Sequence, residues 1–250
     1  MIRVVLALVT IAGCSIKDVD LTGKACPCPD GWVCAADNTC QRSVTPGDDA
    51  PIVHPDVAMM DTPLPATSCL TAPYTTVKYA TMDFSDYAIT WQSVGGAWSV
   101  GNNALAQTDK VADLSYAYHT MPIAQANYRI VSTMKQTQGA AGGALEIAFR
   151  IDDVKQSMYH CNYQPNDGLF LIQHTDNAVG GGSLMEIQLG NLTTTPFTME
   201  VQVTGNQLEC CIDNVAGAHI TVTNSLYATG LAGVKTYRMA GGFTSFALLQ

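Results

Sequence analysis

The sequence predicts an all-β fold, a sandwich of antiparallel sheets or a jelly roll, on three observations. From about Cys69 to Gln250, short runs alternate apolar and polar residues, the period of a half-buried strand. Gly, Asn, Asp and Pro separate the runs, and "VGNNAL", "VTGNQL" and "QPNDGLF" read as tight turns. No window of eleven or more residues shows convincing 3.6-residue periodicity, so helices are few. A dozen or so strands in about 180 residues bury their apolar faces by forming two layers.

The strands read in order as "NYRIVSTMK", "GALEIAFRI", "QSMYHCNY", "GLFLIQHT", "SLMEIQLG", "FTMEVQVTG" and "QLECCID". Alternation sorts their faces. Leu145, Ile147, Phe149 and Ile151 oppose Glu146 and Arg150; Met185, Ile187 and Leu189 oppose Glu186 and Gln188; Phe197, Met199, Val201 and Val203 oppose Glu200 and Gln202. The expected result is a polar face carrying Glu146, Arg150, Glu186, Gln188, Glu200 and Gln202. A solvated sheet face of this kind needs no function.

Composition narrows the class. Apolar residues make up 47% and charged residues 13%, with a net charge of −9, which suits an extracellular β-rich protein. The basic residues form no run or patch, so a nucleic-acid partner is not expected.

The amino-terminal part divides into small pieces. Met1-Ile2-Arg3 precedes an apolar run, Val4 to Ala12, of nine residues; a membrane-spanning helix needs about 20, so this has the size of a signal-peptide core. Residues 26–40 hold four cysteines, Cys26, Cys28, Cys34 and Cys40, and two prolines. Such a segment relies on staples rather than a core. Disulfides are the expected staples in an exported chain, with a four-sulfur zinc site as the alternative. Residues 41–66 carry five prolines and four aspartates and read as an extended linker. At about 3 Å per residue, 26 residues can hold the next domain up to about 80 Å away.

The segment Ile11-Ala12-Gly13-Cys14 resembles the lipobox of bacterial lipoproteins. That resemblance implies a diacylglyceryl group on Cys14, cleavage before it and acylation of the new amino terminus, so the membrane is a partner through lipid. Ser15 is not the aspartate that retains many such lipoproteins in the inner membrane, which points to the outer membrane. The run Cys26-x-Cys28-x-x-Gly31-Trp32-x-Cys34 resembles the second half of an EGF-like module or a Dickkopf-type stub. The expected organisation is therefore a signal peptide (1–13), a lipidated tether (14–25), a Cys-rich stub (26–40), a linker (41–66) and the β domain (67–250).

Two stretches of the β domain, "DFSDYAITWQSVGGAWSVGNNALAQ" and "TGLAGVKTYRMAGGFTSFALL", resemble the opening and closing strands of concanavalin A-like, laminin G-like jelly rolls. The resemblance implies that fold, which hosts lectins, adhesion modules and glycanases alike. It also implies a sugar on the concave face of the sheet. Glu146, Arg150, Tyr159, Glu186, Gln188 and Glu200 are then the candidate ligand contacts, with Tyr159, Tyr163, Trp91 and Trp98 as candidate rings. Relatives include a 3-keto-glycoside hydrolase-like group, so hydrolysis is the alternative. Paired carboxylates about 5 to 5.5 Å or about 6.5 to 9.5 Å apart would then be required, and Glu146, Glu186 and Glu200 are the candidates. An envelope component without a small ligand is the third reading.

Other chemistry has thin support. There is no Gly-x-Ser-x-Gly elbow, and His119, His160, His174 and His219 lie singly. No cofactor is expected; calcium is the one candidate, at Asp152-Asp153 or at "PNDG" (165–168), both of which also read as turns. Cys69, Cys161, Cys210 and Cys211 are read as structural. Cys210 shares the face of Leu208 and Ile212, whereas Cys211 points with Glu209, which favours Cys161–Cys210 and Cys69–Cys211. Four cysteines still allow three connectivities, a strained vicinal bridge being part of one.

Overall fold

The computed structural model describes residues 32–34, 40–42, 69–70, 74, 76–192 and 196–250. The chain divides into two units, Met1–Pro63 and Leu64–Gln250. In the first, strands β1 (Trp32–Cys34) and β2 (Cys40–Arg42) pair antiparallel, with Cys34 opposite Cys40. Cys14, Cys26 and Cys28 and the side chains of Cys34 and Cys40 lie outside the described residues, as does the linker beyond Arg42.

The second unit is all-β apart from α1 (Tyr87–Thr90). Its strands are β3 (Val77–Thr81), β4 (Trp91–Val94), β5 (Trp98–Gly101), β6 (Ala104–Gln107), β7 (Ser115–Ile123), β8 (Tyr128–Asp152), β9 (Ser157–Gln164), β10 (Leu169–Asp176), β11 (Val179–Gln188), β12 (Phe197–Thr204), β13 (Gln207–Ile212), β14 (His219–Thr223) and β15 (Gly230–Leu249). All pairings are antiparallel. Asn102 and Asn103 both take positive φ, 53° and 55°, making the two-residue turn expected in "VGNNAL".

Two long strands, β8 and β15, pair along almost their whole lengths and build both layers. β8 residues 144–152 and β15 residues 230–237 belong to a seven-stranded layer in the order β4-β7-β15-β8-β9-β10-β11. β8 residues 129–134 and β15 residues 245–249 belong to a six-stranded layer in the order β3-β15-β8-β12-β13-β14. The sequence reading takes "NYRIVSTMK" and "GALEIAFRI" as two strands with a break between them, and "TGLAGVKTYRMAGGFTSFALL" as a closing pair of strands with another. In the structure these are register shifts where one strand passes from one layer to the other, the use of Gly and bulges at sheet corners.

The core fills the space between the layers. Ile147 and Phe149 of β8, Tyr159 and Cys161 of β9, and Phe170 and Ile172 of β10 meet Met199, Val201 and Val203 of β12 and Leu208 and Cys210 of β13. The Cys161–Cys210 disulfide links β9 to β13 across this core, with Cα atoms 6.1 Å apart, inside the usual range. Cys211 turns to the opposite face and joins Cys69. That is the pairing read from the strand faces.

Candidate functional site on the seven-stranded layer

Alternation leaves one face of the seven-stranded layer turned away from the core. Cross-strand register builds it as two adjacent rows. One runs Val94, Tyr116, Lys235, Glu146, Asn162, Leu171, Glu186; the other runs Gln92, Tyr118, Gly233, Ala148, His160, Gln173, Ser183. Tyr116, Tyr118, Ala148, Ile151 and Met158 pack here as a second apolar cluster, separate from the main core. Gly233 is required in the second row, because a Cβ there would lie 2.0 Å from the Ala117 carbonyl oxygen.

Three ionisable side chains meet at the centre. Lys235 Nζ donates to Glu146 Oε1 at 2.7 Å, the direct cross-strand pair. His160 Nδ1 approaches Glu146 Oε2 at 2.5 Å from the diagonal position, a close contact without hydrogen-bond alignment. His160 Nε2 lies 3.0 Å from Thr175 Oγ1. All three are buried. Burial works to raise the Glu146 carboxyl, but Lys235 and His160 outweigh it and hold it at about 2. Burial lowers His160, and Lys235 adds to this against the pull of Glu146. Glu146 is thus held as the carboxylate, and His160 is driven toward the neutral imidazole.

The accessible rim is planar and polar. Gln92, Asp153, Ser183 and Glu186 are exposed, and Gln173 and Tyr237 are half-buried. Asn162 Nδ2 donates to Gln173 Oε1 at 3.2 Å, while Asn162 Oδ1 and the Tyr116 hydroxyl, both buried, have no hydrogen-bond partner. Tyr118 faces two acceptors, Gln92 Oε1 at 2.8 Å and Asp153 Oδ2 at 3.2 Å. Tyr237 presents a ring beside the trio, 5.9 Å from Lys235 Nζ.

This architecture recurs in solved structures. A carbohydrate-binding module, CBM66 from Bacillus subtilis, superposes with a TM-score of 0.58 at 15% identity, over 64% of this chain and 96% of its own. The VIP36 exoplasmic/lumenal domain in its Ca2+/Man3GlcNAc-bound form gives 0.55 at 11% identity, over 70% and 90%. A Bacillus subtilis protein of unknown function with a galectin-like fold gives 0.53 at 11%, over 71% and 98%. The fold is a galectin-like jelly roll. No protein-family model and no curated protein matches the chain.

On this galectin-like frame the sequence candidates scatter. Glu146 and Glu186 share a row of the outward face but stand three strands apart, about 14 Å at about 4.8 Å per strand. Glu200 lies in the other layer, buried, with Arg129 Nη2 2.5 Å from its Oε2. The expected single polar face is therefore two faces on opposite layers, and the three glutamates form no catalytic pair. Gln202 donates to Glu209 at 3.3 Å on that second layer. Gln188 lies at the β11 edge and donates to the Asp167 carbonyl at 2.7 Å.

Arg150 departs furthest from expectation. Strict alternation turns it outward, but the register of β8 against β9 shifts between Phe149 and Asp152 and Arg150 takes φ +51°. Its guanidinium is buried, donating to the Tyr227 carbonyl at 2.8 Å and to the Gly205 carbonyl. None of the expected rings lies on the outward face. Tyr159 is in the core, 2.5 Å from Asn224 Oδ1, and Tyr163 donates to the Gly190 carbonyl at 2.5 Å. Trp91 and Trp98 pack against the core, Trp91 on Phe246 and Trp98 on Phe243. Tyr116 and Tyr118 are the rings that sequence reasoning missed, although "SYAYHT" carries the strand alternation that places them together.

The calcium candidates also make hydrogen bonds within the protein. Asp167 accepts the Gly142 N–H at 2.5 Å, and Asn166 donates to the Gly139 carbonyl at 3.2 Å, so the 165–168 turn braces the β8 bend. Asp152 accepts the Lys155 N–H at 3.0 Å. Among the described residues, Cys69, Glu200 and Cys211 are the one group of three potential metal donors, and its two sulfurs are joined as a disulfide.

Proposed function

We propose that the Leu64–Gln250 unit is a non-catalytic carbohydrate-binding module, held at the bacterial outer membrane by lipid on Cys14 and spaced from it by the 41–66 linker. The observation that carries this reading is the outward face of the seven-stranded layer. It combines the half-buried Tyr237 ring with a rim of planar amide and carboxylate groups, on a sheet face that also carries the buried Lys235–Glu146–His160 trio. Planar polar groups match sugar hydroxyls, and rings match sugar C–H faces. A pre-organised face of this kind binds without the entropy cost of ordering loops. The carbohydrate-binding module and the mannose-complexed domain among the structural neighbours support the same reading.

The test is retention of the full chain on immobilised polysaccharides, with released sugars scored in parallel. Retention without release is expected, and Tyr237→Ala should weaken it about tenfold, the loss of one stacking contact worth about 1.4 kcal/mol. Release of sugars at enzyme-like rates would overturn the non-catalytic reading. For the anchor, metabolic labelling with a tagged fatty acid should mark the chain and fail in Cys14→Ser; labelling that survives the substitution would remove the anchor from the proposal.

A further inference from the structure

Both ends of β8 come to the same end of the sandwich. There Arg150, from the seven-stranded layer, meets Tyr128, from the six-stranded layer. The register shift between Phe149 and Asp152 and the positive φ of Arg150, +51°, turn this arginine inward. A bulky residue keeps that conformation where its surroundings over-determine it. The guanidinium donates from Nη1 to the Tyr227 carbonyl at 2.8 Å and from Nη2 to the Gly205 carbonyl. It thereby fastens the connections before β15 and after β12 to the end of β8.

Its charge has no counterpart. Arg150 and Tyr128 are each 1% exposed, and among the described residues no carboxylate forms an ion pair with Arg150. Arg150 Nε and the Tyr128 hydroxyl, both buried, have no hydrogen-bond partner. The hydroxyl lies close enough to feel the guanidinium: burial raises its pKa, and the Arg150 charge opposes the rise. Arginine offers donors alone, and a tyrosine hydroxyl beside it still has a proton to give. Two donors without acceptors and a full positive charge therefore meet at one buried place. An unmatched buried charge is costly. A water molecule would accept from both donors and leave the charge uncompensated, whereas a small anion answers all three demands.

We propose that Arg150 and Tyr128 form an internal site for a monovalent anion of chloride size, joining the two layers at this end of the sandwich. Burial of both side chains restricts the ligand to a halide rather than a sulfate or a sugar acid. The site lies apart from the outward face, and the carbohydrate-binding reading does not depend on it.

The experiment follows urea unfolding of the full chain at fixed ionic strength while chloride replaces gluconate. An ion that binds the folded state alone favours folding in proportion to its concentration above Kd, so each tenfold rise in chloride should raise the folding equilibrium constant about tenfold. Bromide should act as chloride does. Tyr128→Phe should weaken the anion about tenfold, because a hydrogen bond to a charged group is lost. Without chloride the same variant should be at least as stable as wild type, since it deletes a buried hydroxyl that lacks a partner. Arg150→Met should abolish the chloride dependence; if that variant does not fold, Tyr128→Phe and bromide still decide. Lys155→Gln, which removes an exposed cation, should keep it. Wild-type stability that ignores chloride overturns the proposal and leaves at most a water between the two side chains. A dependence that Tyr128→Phe leaves unchanged, or that Lys155→Gln abolishes, also overturns it, since the ion then acts elsewhere.

Discussion

Glu146→Gln is expected to lower stability by about 3 to 5 kcal/mol, because it leaves the Lys235 ammonium buried without a counter-charge. For a unit of this size that corresponds to a fall in Tm of about 10 °C. The side chains are nearly isosteric, so lost packing contributes little. The pair Glu146→Leu with Lys235→Met should recover most of the loss, since an apolar pair removes both desolvation costs. Thermal melts of the three variants test this. A Glu146→Gln chain that melts with wild type would mean that water or a rearranged partner already screens Lys235, and the trio could not then act as a rigid support for the rim. The same trio sets an acid limb. The folded state holds His160 below its ordinary value of 6.5 and Glu146 at about 2 against an ordinary 4.5. In both cases the unfolded chain binds more protons in the interval, so stability rises with pH there. The His160 contribution is present above pH 6.5 and falls below it; that of Glu146 is present above 4.5 and is lost towards about 2. Denaturant midpoints should therefore decline in two stages on acidification, and Glu146→Gln should flatten the second.

What could be read from the sequence was local, and what could not was decided by long-range pairing. Alternation in "FTMEVQVT" and "QLECCI" places Met199, Val201, Leu208 and Cys210 in the core, and the structure agrees. It also sends Cys210 and Cys211 to opposite faces, so a bridge between them was never the natural closure. Alternation says which face a residue takes within its strand, and nothing about which layer the strand joins. Glu146 and Glu200 both alternate outward, yet β8 residues 144–152 and β12 pair into different layers. Arg150 fails for another reason: a bulge changes the parity of every residue after it, and no composition signal marks this one. Burial of Glu146, Lys235 and His160 was equally hidden. A charged residue opposite a charged residue across two strands 89 positions apart is a property of register, which a single chain does not display.

The cross-layer disulfide is the second feature whose loss should be severe. Cys161–Cys210 closes a loop of 49 residues and Cys69–Cys211 one of 142. Restricting the unfolded chain predicts stabilisation of about 4 and about 5 kcal/mol respectively, growing only with the logarithm of loop length. On entropy alone the longer loop matters slightly more. Packing reverses the order, because Cys161 and Cys210 are fully buried between the layers, and truncation there adds a cavity. Cys69 is only half-buried at the entry of the unit. Cys161→Ala with Cys210→Ala should therefore be the more damaging pair, whereas Cys161→Val with Cys210→Ala, which restores volume, should fall back to the entropic loss. Urea unfolding of the three double variants separates the contributions. If Cys69→Ala with Cys211→Ala proves the most damaging, the entry segment holds the six-stranded layer more strongly than the bridge through the core, and the layers pack well enough without a covalent link.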